Sequence, residues 1–86
     1  MKFTVVWLPT VESALEELWL EASDRNAVTD AANWIDRELR LNPQNKGTRV
    51  DELHFLRRDP LIVLFDVNVD DRMVRVLDVH RSDNGK

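Results

Sequence analysis

The chain has 86 residues, 43% of them apolar and 33% charged, with two glycines, three prolines and no cysteine. This composition fits one small globular domain and excludes a disulfide framework and thiol-based metal or catalytic chemistry. A formal charge of −4 excludes a global basic field for nucleic acid. The early apolar run Val5 to Leu8 is far too short for a signal segment or a membrane span, so the cytoplasm is the expected compartment. Charge is uneven along the chain. Residues 1–44 hold four basic and eight acidic groups, whereas residues 45–86 hold eight of each.

Lys2 to Leu8 reads as a strand, rich in β-branched and aromatic residues and stopped by Pro9. Thr10 is a fair cap for a helix from Val11 to about Ala22, where Val11, Leu15, Leu18, Trp19 and Ala22 recur at helical spacing opposite four glutamates. Ser23 to Asn26 turns the chain into a second helix, expected over 26–41, with Val28, Ala32, Ile35 and Leu39 in one stripe. Asn42-Pro43 ends it. Beyond a polar loop the period changes to two, predicting strands from Val50 to Arg57, Leu61 to Val67 and Met73 to Val79, with a turn at Asp70-Asp71. The expected fold class is α+β in the order β-α-α-β-β-β: a helical hairpin packed on one face of a small antiparallel sheet, the other face free to bind. One domain over 1–81 and a flexible tail over 82–86 complete this reading.

The candidate chemistry is sparse. His54 and His80 both fall on strands of the expected sheet, about 10 Å apart if one strand separates them. With Arg81 they form a set able to exchange a proton and hold a phosphate; two exposed histidines without chemistry is the plainer account. Arg57, Arg58, Arg72 and Arg75 could line a basic strip, or sit on a solvated face balanced by Asp51 and Asp59. Asp66, Asn68 and Asp70 open like a calcium loop, but Asp71 stands where glycine is required and Leu77 where the last ligand should be. Trp7, Trp19 and Trp34 fit core positions better than a base-stacking platform. No cofactor or metal is expected.

Several stretches resemble the RelE/ParE toxin superfamily of bacterial type II toxin–antitoxin modules, over about residues 3–81. They are Val6-Trp7-Leu8-Pro9 leading to Leu15 and Leu18-Trp19; Ala31-Ala32 with Ile35 and Leu39; Asn42-Pro43 followed by Gly47; Pro60 to Val67; and Asp71 to Leu77. The resemblance implies a small sheet packed on a helical hairpin, and a chain neutralised by a cognate antitoxin laid along a sheet edge or in the helical groove. Two activities are implied for such proteins: ribosome-dependent mRNA cleavage, or inhibition of DNA gyrase. Lysines usual on the second strand of the nucleases correspond here to Leu53 and Phe55, and an arginine of the third strand to Ile62. His80 and Arg81 are the catalytic candidates the resemblance leaves, with Arg57, Arg58 and Arg75 as target-binding candidates. The expected role is therefore a toxin-like component acting by macromolecular binding, ParE-like or degenerate. The alternatives are a RelE-like endonuclease and a non-toxic domain that forms a homodimer through an edge strand.

Overall fold

A computed structural model describes residues 2–82, in the order β1 (Thr4–Trp7), α1 (Pro9–Glu21), α2 (Arg25–Leu39), a 3-10 turn (Pro43–Asn45), β2 (Thr48–Val50), β3 (Leu53–Arg58), β4 (Leu61–Asn68) and β5 (Met73–Arg81). Helix α1 starts earlier than its apolar spacing predicts, because Pro9 occupies the first turn, where its missing N–H is no loss. Thr10 thus lies inside the helix and does not cap it. Helix α2 opens on Asp24, whose carboxylate accepts a hydrogen bond from the Ala27 N–H at 3.1 Å. Only residues 22–24 separate the two helices, which form the expected hairpin.

The sheet order is β1-β5-β4-β3-β2. The α+β architecture agrees with the expectation, and two details differ from a four-stranded antiparallel layer. The first strand β1 pairs with β5 in parallel, held by Thr4 N–H to Arg72 O (2.8 Å) and Leu8 N–H to Val76 O (3.4 Å). Its connection to the other strands runs through both helices and is long enough to allow that direction. The strand expected from Val50 to Arg57 is instead two, β2 and β3, folded back at Asp51, which takes a left-handed φ of 56°. Aspartate is among the few non-glycine residues that visit this region readily.

The core lies between the sheet and the hairpin. Ile35 and Leu39 from α2 meet Leu61, Val63 and Phe65 from β4 and Val74 and Val76 from β5, all without solvent exposure. Along β4 and β5 the register slips once: Leu64 faces Asp78 while Phe65 faces Val76, leaving Leu77 as a bulge. Of the tail expected to be flexible over 82–86, only Ser82 is described, and it is held by its N–H to Pro60 O (2.9 Å) and its hydroxyl to Asp59 (2.7 Å). Residues 83–86 lie outside the described residues. Among the described residues no helix is long and apolar enough to cross a membrane.

Candidate functional site

Strand alternation gives the sheet a helix-covered face and an open face. Leu61, Val63 and Phe65 point to the core, so Ile62, Leu64 and Asp66 point away, and their paired neighbours share that side. Three rows cross the open face: Arg57–Ile62–His80, then Thr48–Phe55–Leu64–Asp78, then Asp66–Arg75–Val6. Its middle is apolar. Phe55 is 38% exposed there, and Val50 and Leu53 pair beside it.

The residues singled out in the sequence do not converge on one point. Arg57 and His80 share the first row, one on either side of Ile62. Arg81 pairs with fully buried Leu61 and so belongs to the opposite face, where it lines a cleft with Asp24, Ala27 and Pro60. His80 and Arg81 are therefore adjacent in sequence but separated by the sheet. Arg57 and Arg58 are divided in the same way: the Arg58 guanidinium lies 4.7 Å over the Trp34 ring on the helix side. Arg75 is on the open face, several residues along the sheet from His80. His54 also departs from the expected pairing with His80. It is buried on the helix side, stacked on Phe65 with ring centroids 5.1 Å apart, and its Nδ1 has no hydrogen-bond partner.

Among the described residues of the open face, Arg75, Arg57 and His80 each lie against a carboxylate. Arg75 and Asp66, cross-strand neighbours, form a two-point ion pair that holds the guanidinium above the ordinary arginine range. Arg57 Nε donates to Asp59 at 2.8 Å, and His80 Nε2 lies 2.9 Å from Asp78 Oδ2. Asp59 sits below its ordinary value of 3.8, first through the Arg57 hydrogen bond and then through that of Ser82. A folded-state value below the unfolded one means that this carboxylate contributes stability above the unfolded value and loses it as pH falls through the folded one. An NMR titration should give Asp59 a midpoint below 3.8, moved upward by Arg57→Ala and less by Ser82→Ala. An unshifted midpoint in the Arg57 variant would show that another contact sets it.

The segment resembling a calcium loop has a different task. The Asn68 side chain accepts from the Asp71 N–H at 3.0 Å and donates to the Asp71 carboxylate at 3.2 Å, bracing the turn between β4 and β5. Among the described residues no group of three or more acidic, histidine or cysteine side chains gathers as a metal site. Sequence reasoning missed that Asp66 pairs with Arg75 and that Asp78 lies against His80. Their signal is cross-strand register, which no local pattern carries.

No protein-family model matches the sequence, and no curated protein matches it. Solved structures do match in shape. The toxin–antitoxin complex RelBE2 from Mycobacterium tuberculosis superimposes with a TM-score of 0.74 over 94% of this chain and 92% of that one, at 18% identity. The RelE–RelB complex from Pyrococcus horikoshii OT3 gives 0.66 over 95% and 97%, at 19% identity. The chromosomal ParDE system from P. aeruginosa gives 0.62 over 93% and 96%, at 15% identity. This is the RelE/ParE toxin fold. RelE and ParE structures both match along nearly the whole chain, so the fold alone does not separate the two groups. On this version of the fold, Leu53, Phe55 and Ile62 line the open face at positions where the resemblance implies cations in the nucleases.

Proposed function

We propose that this chain is the toxin-like component of a type II toxin–antitoxin pair, cytoplasmic, neutralised by a cognate antitoxin, and acting by binding a macromolecule through its open sheet face. The carrying observation is the chemistry of that face. Its centre is apolar around Phe55 and Leu64, and Arg57 and Arg75 are each engaged by an aspartate. Cutting RNA on a ribosome calls for several cations available to phosphate, since each contact releases counterions and adds affinity. An exposed aromatic with aliphatic neighbours and a charged rim suits a protein surface better. Within the fold this favours the ParE-like mode, with gyrase as the target, or a degenerate member.

The endonuclease reading draws on one observation, the row holding Arg57 and His80 with Asp78 beside the imidazole. A proton-transfer group next to a phosphate-binding arginine is the minimum for RNA cleavage. Expression without a partner separates the readings. Growth arrest should occur with transcripts intact, survive His80→Ala, and be lost in Phe55→Asp. Transcript cleavage abolished by His80→Ala would establish the enzyme instead. Absence of arrest in the wild type would mark an inert member of the fold, and a sedimentation dimer would point to self-association.

A further inference from the structure

Beyond the end of β3 the sheet narrows to two strands. Residues of β4 past Phe65 pair with β5 alone, Asp66 with Arg75, Val67 with Val74 and Asn68 with Met73, so the flank of β4 that β3 covers elsewhere is open there. The gap is a cleft of about 790 Å³. It is lined from both faces of the sheet, by Asp66 and Arg75 from the open face and by His54 from the helix side. Its charge is mostly negative: Glu52, Asp66, Asp70 and Asp71 stand against two cations, Arg49 and Arg75. Both cations are engaged, Arg75 by Asp66 and the Arg49 Nε by the Asp51 carbonyl at 2.8 Å. In the wall lies His54, 6% exposed. Its Nδ1 is the only buried side-chain nitrogen or oxygen without a hydrogen-bond partner among the described residues. Such an atom is costly to leave unpaired, and a ligand that donates to it removes the cost.

We propose that this cleft binds a linear polyamine, a flexible chain with ammonium groups at intervals. The spacing of the acids selects among cations. Among the described residues no three acidic or histidine side chains gather as a metal site. The carboxylates are instead strung out, with about 10 Å of strand between Asp66 and the turn that starts at Val69 and carries Asp70 and Asp71. A row of ammonium groups meets such a row of acids, and the methylenes between them cover Val67, Val69 and Met73, which also line the cleft. With the imidazole proton on Nε2, His54 Nδ1 accepts from an ammonium N–H. An anion would meet four carboxylates and only cations already engaged. Helix α1 also carries four glutamates, but no buried unpaired atom accompanies them. The proposal goes beyond the toxin reading and does not depend on it.

Calorimetry and NMR of the intact protein test it with spermidine, magnesium and a lysine tripeptide of the same net charge as spermidine. Salt of about 0.15 M screens weak surface attraction. Spermidine should bind at least about tenfold tighter than magnesium and should move the His54 Nδ1 resonance together with the amides of Val67 and Val69. The variant Glu52→Gln/Asp70→Asn, both at exposed positions, should weaken spermidine about fivefold or more with circular dichroism unchanged. Glu16→Gln/Glu17→Gln on α1 should leave the affinity as it is. His54→Phe, which keeps a ring against Phe65 and lacks the nitrogen, should weaken binding without lowering the melting temperature. Absence of spermidine binding, equal affinity for magnesium, shifts centred on α1, or an affinity untouched by Glu52→Gln/Asp70→Asn would overturn the proposal. Tighter binding of the tripeptide would overturn it in favour of a basic segment of another protein. Failure of growth arrest would count against the toxin reading and leave this result untouched.

Discussion

Gly47→Ala is expected to cost about 3–4 kcal/mol and to free β2 from the sheet. Gly47 has φ 70°, where an L side chain is strained by about 1–2 kcal/mol before any contact is considered. A Cβ there would stand 1.9 Å from the Phe55 carbonyl oxygen, 2.8 Å from its carbon and 3.2 Å from Leu56 Cα. These are backbone atoms of β3, which is bonded on both edges, so no side chain can rotate to relieve the overlap. The loop must withdraw, and with it Thr48, the partner of Phe55. A domain of this length has a total stability of about 4–13 kcal/mol, so the loss is a large share of it. Urea denaturation with amide exchange on β2 and β3 measures it. A loss under about 1 kcal/mol would show that the 44–48 loop yields without disturbing β3.

Phe65→Ala should destabilise by about 3–5 kcal/mol, enough to leave much of the chain unfolded at 37 °C. Phe65 has no exposed surface, lies at the middle of β4 and stacks on the buried His54 ring with an interplanar angle of 18°. Removing the ring takes away a large apolar contact and opens a cavity against an imidazole whose Nδ1 already lacks a partner. A dry cavity gives the upper figure. A water bonded to Nδ1 brings the loss toward the lower one. Phe65→Leu, which keeps most of the volume, should lose about 1–1.5 kcal/mol, and Phe55→Ala on the open face under about 1 kcal/mol. Thermal melts of the three variants rank them. If Phe55→Ala equalled Phe65→Ala, the assignment of core face and open face would be wrong. The contrast also joins stability to function, because Phe55 can be changed to test target binding without loss of the fold.

Elements with strong local chemistry are legible in the sequence. The helical spacing of Val28, Ala32, Ile35 and Leu39 predicted the stripe of α2, in which Val28, Ile35 and Leu39 are buried and Ala32 is half-buried. The turn at Asp51 falls inside the strand expected from Val50 to Arg57. Asp51-Glu52 interrupts the alternation that Leu53 and Phe55 keep, and the left-handed φ at Asp51 accompanies the pairing of β2 with β3. The parallel direction of β1 was hidden, since strand direction depends on where a long connection returns the chain.

Composition, charge and periodicity alone determined the α+β class, the absence of cysteine from these 86 residues, two helices with apolar stripes, and an acidic first half. Only the tertiary structure decided which candidate side chains act together. Uninterrupted alternation from Val74 would have turned Arg81 to the open face and His80 to the core. The extra residue at Leu77 reverses that phase, putting His80 beside Ile62 and Arg81 beside Leu61. A bulge is a property of two strands in register, and a side chain's facing along either strand follows from that pairing, not from its own sequence.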